Sequence, residues 1–343
     1  MVLSLSSLLI LAQAAVGPSA AGAEDAPERQ ERIAYQPVLE QPAAASPPNS
    51  LVPATAPVAP DDALALNESE PRAGKLRMFD GGKLLLTNGV TTVEGSSGGG
   101  LARWATIGGR QMAGGIGASA HVTGIELADF GWRSYGIAVG LGDRIELSYA
   151  RADFDTRDIG TALGIGQGYT FNLDTFGAKL RVAGDLVYGE TWLPQIAVGI
   201  EHKRSRDGAL VRALGAADAA GTDYTLSATK LFLARSLLVN ATLRYTEANE
   251  LGLLGFGAAG GGADYRLQFE GSVGYQLSRR AVVGAEYRSK PDNLGLGDDD
   301  WMDIFAAYAL TRHLTLTAAY VDLGSIATIP GQRGGFLSAQ VAF

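Results

Sequence analysis

From residue 82 onward, apolar residues recur at every second position over long stretches, the signature of strands with one apolar and one polar face. Between Tyr265 and Leu277, one face carries Tyr265, Leu267, Phe269, Val273, Tyr275 and Leu277; the other carries Arg266, Gln268, Glu270, Ser272 and Gln276. Residues 144–149, 175–182 and 239–246 repeat the pattern, with Lys179, Arg181 and Arg244 on the polar side. No internal run approaches the ~18–20 apolar residues of a spanning helix. If this chain crosses a membrane, it crosses with strands.

The alternation predicts about fourteen strands, near 82–94, 101–109, 114–125, 132–141, 144–154, 169–182, 193–204, 222–233, 237–248, 264–277, 281–290, 301–310, 313–322 and 334–343. Connections after even-numbered strands are mostly very short, as at Gly142-Asp143 and Thr311-Arg312. Those after odd-numbered strands, such as 155–168, 205–221 and 249–263, are long and mostly Gly-rich. Short periplasmic turns alternating with long outer loops, and an even strand count, predict a closed antiparallel transmembrane β-barrel in the outer membrane of a Gram-negative bacterium. The last strand agrees: Leu337, Ala339, Val341 and Phe343 alternate with Ser338, Gln340 and Ala342. A terminal aromatic behind such a stripe resembles the insertion signal that barrels present to the insertion machinery, so that machinery and outer-membrane lipid are the expected partners.

Aromatic residues near strand ends (Trp104, Trp132, Phe154, Trp192, Tyr245, Tyr287, Trp301, Tyr320) are candidates for interfacial girdles or for packing against loops. The first 23 residues read as a secretory signal peptide, with an apolar core from Leu8 to Val16 and small Ala21 and Ala23 before Glu24, although no basic residue opens it. Residues 24–77, rich in Ala, Pro and acid, cannot bury enough apolar surface to offset ordering entropy. They predict a disordered periplasmic tail, with a lumen plug or a tether as the alternative; the barrel is placed at 78–343. The net charge of −8 resides mainly in the first 74 residues, so the barrel is nearly neutral and has no nucleic-acid footprint. Cysteine is absent, which removes disulfides and thiolate metal sites.

The segments Gly82-Lys83-Leu84-Leu85-Leu86-Thr87, Gly98-Gly99-Gly100-Leu101, Arg144-Ile145-Glu146-Leu147-Ser148-Tyr149-Ala150-Arg151, Trp192-Leu193-Pro194-Gln195, Ala228-Thr229-Lys230-Leu231-Phe232-Leu233 and Lys290-Pro291-Asp292-Asn293-Leu294-Gly295 have a further meaning. Over roughly 78–343 the chain resembles an uncharacterised family of proteobacterial outer-membrane β-barrels. The resemblance implies a barrel and a location and transfers no functional residue.

Lumen-facing residues tune what passes. The alternation places Arg144, Lys179, Arg181, Lys203, Arg244, Arg266 and Arg288 inward against Glu146, Glu201, Glu247, Glu270 and Glu286, a slight basic excess. Such a lining is either a water-filled pore or a packed interior closed by ion pairs, since buried charges are tolerated when paired. Residues 208–214 have helical spacing, for an inward constriction or a rim helix. Leu251, Leu253, Leu254 and Phe256 make loop 249–263 unusually apolar, for admission of a hydrophobic solute or for packing on a neighbouring loop. Asp298, Asp299, Asp300 and Asp303 match no calcium-loop spacing. His121, His202 and His313 stand in no Ser-His-acid context. The residues thus predict no cofactor, metal or catalytic centre, and a porin or passive channel for small solutes. A closed structural or binding barrel is the alternative, and a lipid-modifying enzyme the third reading.

Overall fold

The computed structural model describes residues 77–78, 82–87, 90–189, 192–261 and 265–343. The expected signal peptide at 1–23, and the tail at 24–77 apart from Arg77, lie outside the described residues. Twelve strands form the barrel: β1 (Gly115–Leu127), β2 (Gly131–Leu141), β3 (Ile145–Asp155), β4 (Thr170–Ala183), β5 (Gln195–Ser205), β6 (Ala220–Phe232), β7 (Leu237–Thr246), β8 (Arg266–Ser278), β9 (Ala281–Arg288), β10 (Trp301–Ala309), β11 (Leu314–Asp322) and β12 (Arg333–Ala342). Each pairs antiparallel with its neighbour in sequence. β12 pairs with β1, Gln340 opposite His121 and Gly335 opposite Glu126, and so closes the sheet. In hydrocarbon every backbone polar group needs a partner inside the protein, and closure supplies it without leaving an edge. The strands run from 8 to 14 residues, around the ~9–11 that a tilted strand needs to span. Among the described residues no helix is long and apolar enough to do so.

Burial runs opposite to that of a water-soluble protein. On β8, Leu267, Phe269, Val273, Tyr275 and Leu277 are exposed, while Glu270 and Ser272 are buried. Register aligns the outward residues into rows, Val198 beside Leu226, then Leu243, then Phe269, a continuous lipid-facing band. Leu337, Ala339 and Val341 of β12, with Phe343 just after it, lie on this outer face, and Phe336, Ser338, Gln340 and Ala342 are buried on the inner one. The Phe343 ring stacks on His313 with centroids 5.0 Å apart.

The count is twelve strands rather than about fourteen. The predicted strands 82–94 and 101–109 do not join the wall. Every residue from 90 to 111 is buried, so this stretch has no lipid-facing side. The alternation there reflects contacts on all sides, and Gly98-Gly99-Gly100 between the segments carries no side chains to pack. A two-residue ladder, Val90–Thr91 with Ser97–Gly98, is formed within the segment.

Short turns such as 142–144 and 279–280 collect at one end, with the start of β1 and Phe343; the long loops 156–169, 206–219, 247–261, 289–300 and 323–332 collect at the other. Two short helices, α1 (Ile159–Ala162) and α2 (Gly208–Ala213), lie in these loops. The loops fold over the mouth. Val211 of α2, with Leu251, Leu253, Leu254 and Ile326, packs on inward Trp132, Phe154, Phe171, Trp301 and Phe336. Of the proposed girdle residues, Trp192, Tyr245, Tyr287 and Tyr320 are exposed. Trp104, Trp132, Phe154 and Trp301 are buried instead, because the three strand residues among them share the inward parity of Ser134, Ala152 and Asp303. Trp132 meets Phe154 and Trp301 edge-on, each with centroids 5.7 Å apart.

Leu226 sits mid-strand in the lipid-facing row. Leu226→Arg is expected to destabilise the barrel by ~2–4 kcal/mol in urea unfolding from lipid vesicles. An unchanged midpoint would contradict this face as the lipid-facing one.

Candidate functional site: a plugged lumen

Residues 90–111 fill the barrel interior as a plug, with 82–87 at the short-turn end. The two meet there: the Gly82 and Lys83 amides donate to the Arg110 carbonyl at 3.0 and 3.3 Å. The Arg110 amide donates to the Phe343 carbonyl at 2.9 Å, tying the loop to the last residue of the chain. Lys83 pairs with Asp143 at 2.6 Å. At the other end Val93 and Leu101 reach the apolar layer under the long loops.

A segment whose only regular structure is a two-residue ladder must place most of its buried backbone groups elsewhere. Here the wall side chains take them. Glu286 accepts from the Leu101 amide at 2.7 Å, Glu270 from the Arg103 amide at 2.8 Å, and Thr229 from the Ala105 amide at 2.8 Å. Glu146 accepts from the amides of Ser97 and Gly108 at 3.1 and 2.6 Å. Lys179 donates to the carbonyls of Ser97 and Thr106 at 2.7 and 2.9 Å, Gln195 to that of Ala105 at 2.7 Å, and Asn240 and Thr242 to that of Arg103 at 3.0 and 2.7 Å. The approach is close enough to require glycine: a methyl group on Gly99 would overlap the Glu286 carboxylate, and Gly95, at φ +93°, lies against Ala150.

Charge organises the middle of the lumen. Glu94 of the plug meets four cations: it contacts Lys203 directly, and Arg288, Arg244 and Arg103 at 2.6, 3.2 and 3.6 Å. Arg103 of the plug pairs with Glu201. Around them Lys203 and Arg244 hold Asp223 at 2.6 and 2.9 Å, and Arg244 and Arg288 hold Glu270. Four carboxylates, Glu94, Glu201, Asp223 and Glu270, thus face four cations, Arg103, Lys203, Arg244 and Arg288. Glu94, Glu201 and Asp223 are near enough to share a metal ion, but lysine and arginine already supply the positive charge there.

Of the residues expected to line the lumen, Glu146, Lys179, Glu201, Lys203, Arg244, Glu270, Glu286 and Arg288 are buried around the plug. Arg181 sits lower, pairing with Asp143 at 2.9 Å at the short-turn end. Arg144, just before β3, and Arg266, the first residue of β8, are exposed at the barrel ends, outside this network. The expected slight basic excess is therefore replaced by a carboxyl excess. The buried inward wall groups are Glu146, Glu201, Asp223, Glu270, Glu286 and Asp303 against Lys179, Lys203, Arg244 and Arg288. Sequence reasoning missed Glu94, Arg103, Asp223 and Asp303. The signal for the first two was a charge of each sign flanking a Gly-rich run with no lipid face. Asp298, Asp299 and Asp300 lie in the long loop, apart from inward Asp303. His121 is buried beside Ser134 at 3.3 Å, and the Ser134 hydroxyl donates to Val93 of the plug. His202 is exposed and bonded to Thr222.

The profile of the family described as "Protein of unknown function (DUF3034)" matches residues 87–340, and the chain belongs to that family. Among curated proteins, none matches the sequence. Similar solved structures include the KdgM porin (TM-score 0.41, 10% identity, covering 66% of this chain and 99% of that one) and the NanC porin (0.40, 11%, 66% and 98%). Outer membrane phospholipase A from Escherichia coli, as an active-site mutant, is similar at 0.39 and 11% identity, covering 66% and 89%.

At the mouth, Lys290 pairs with Glu250 at 2.8 Å and lies over the Trp301 ring at 5.0 Å. Burial, and then the neighbouring Glu250 charge, push the Asp298 carboxyl up to about 8. A carboxyl raised on folding takes up a proton as the chain folds, so the stability it contributes is present at low pH and lost as pH rises toward about 8. Loop 289–300 is therefore expected to open more readily between pH 6.5 and 9 in hydrogen exchange corrected for intrinsic rates, and Asp298→Asn to flatten that dependence. The same pH dependence in the variant would contradict the assignment.

Proposed function

We propose that the protein is a gated outer-membrane channel for small solutes, closed by residues 90–111, with its long loops outside the cell and its N-terminal tail in the periplasm. The observation that carries the reading is how the plug is seated. Its middle is held by hydrogen bonds and ion pairs to the wall, contacts that water can replace, and Gly82 and Lys83 before it meet Arg110 at one end of the barrel. It can therefore leave as a unit without unpairing any wall strand. When it leaves, Glu94 and Arg103 go together, and Glu201, Asp223 and Glu270 still face Lys203, Arg244 and Arg288. The remaining carboxyl excess from Glu146, Glu286 and Asp303 against Lys179 favours cations in the opened lumen. The last strand, with Leu337, Ala339, Val341 and Phe343 facing outward, serves as the insertion signal on this reading.

Removing one partner of a buried ion pair costs ~3–5 kcal/mol, and Glu94→Ala leaves four cations short of a partner. In planar bilayers the wild-type protein is expected to be silent or to open rarely. Glu94→Ala should conduct more often, and a variant with Lys83 joined to Arg110 should conduct steadily with cation preference. A folded, excised barrel that stays silent would overturn the channel and favour a closed structural barrel.

A further inference from the structure

Beneath the long loops is a cavity of about 140 Å³. Its walls are overwhelmingly apolar, with Phe130, Trp132, Phe154, Phe171, Leu253 and Leu254 among the lining residues. We propose that it binds a small neutral molecule, the size of a single aromatic ring, that carries a hydrogen-bond-accepting oxygen. The site does not depend on the plug moving, so it stands apart from the channel reading.

Size sets the first limit. An apolar cavity of ~150 Å³ lined by Leu, Ile and Phe stays dry and accepts benzene, and this one is of that volume and kind. Access sets the second. Leu214 and Thr328 on its lining are exposed and Leu163 and Ile165 half-exposed, so the cavity is approached from the long-loop side, while Trp132, Phe154 and Phe171 are buried.

The polar groups narrow the ligand further. Glu250 is the one charged side chain among the lining residues, and Lys290 already holds it at 2.8 Å, so the wall presents no free charge to an ion. Trp132 is 1% exposed, yet its indole N–H has no hydrogen-bond partner. An unmet buried donor costs ~1–3 kcal/mol, and an occupant whose oxygen reaches that N–H relieves the cost. The backbone gives independent support. Glu250 and Leu251 adopt φ of +42° and +63°, in the region that side-chain-bearing residues avoid, immediately before Leu253 and Leu254 turn inward. Such strain persists where surrounding structure requires it, and here it delivers two leucines to the cavity wall.

The test is ¹⁹F NMR titration of the refolded, full-length protein in detergent with 4-fluoroacetophenone, which has the ring and the oxygen, and with 4-fluorotoluene, which lacks the oxygen. One saturable site per chain is expected above micelle partitioning, with the ketone bound more tightly. Leu254→Trp, which fills the cavity, should abolish it; Leu163→Trp at the rim provides the same test without disturbing a buried position. Trp132→Phe should weaken ketone binding by about 3- to 10-fold, the equivalent of one hydrogen bond, and leave 4-fluorotoluene unchanged. Absence of a saturable component, or equal binding by wild type and a folded Leu163→Trp variant, would overturn the site. Equal losses for both probes in Trp132→Phe would overturn the role of the oxygen.

Discussion

The structure depends on the requirement that charges enclosed by a narrow barrel be matched. A sheet whose outer face belongs to lipid has only its inner face for polar side chains, and there the charges of β5 to β9 pair with those of adjacent strands and with the plug. Lys203, Arg244 and Arg288 converge from three strands, and Glu94 sits among all three. It is contributed by the segment in front of the first barrel strand and not by the wall. The plug is therefore one half of the electrostatic arrangement, and Arg103 nine residues later returns a positive charge to Glu201.

The lumen is layered along its axis. At the short-turn end, hydrogen bonds tie Arg110 to Phe343 and Gly82 to Arg110, which fixes where the loop enters and leaves. In the middle, carboxylates and hydroxyls of the wall take the backbone of the plug. At the long-loop end, Val93 and Leu101 join Trp132, Trp301 and Phe336 in an apolar layer that the loops cover. The polar middle is the part that water can replace, and the apolar mouth is the part with a cavity. The proposed gate and the proposed ligand cavity thus fall at different depths of one barrel.

Much of this was legible in the sequence. The closed antiparallel barrel, its alternation of short and long connections, the outward stripe ending in Phe343, and most of the inward charges follow from a period of two, because a strand between lipid and water has two faces of opposite character. The same rule misread 82–94 and 101–109. A segment surrounded by wall on all sides has no lipid face, and its partners are side chains 38 to 194 residues away in the chain, which no local pattern encodes. The rule also leaves the sign of each face open near the rim. Trp132 and Trp301 look like girdle residues by position, and only the capping loops, with Leu253 and Leu254 turned inward, make an apolar interior at that level. Arg144 and Arg266 have the parity of the lumen, but Arg144 precedes its strand and Arg266 is the first residue of its own, so both side chains are exposed at the rim.

The most direct measurement of whether residues 90–111 fill the lumen is a cross-link between plug and wall. A side chain built at Gly108 places its Cβ 3.4 Å from that of Ala138 on β2, near the ~3.5–4.5 Å of a disulfide, and the chain has no cysteine to compete. With Gly108→Cys and Ala138→Cys introduced together, mild oxidation in native membranes followed by non-reducing peptide mapping should recover the 108–138 disulfide in most molecules. Two free thiols that react with a membrane-impermeant maleimide in folded protein would contradict the plugged lumen.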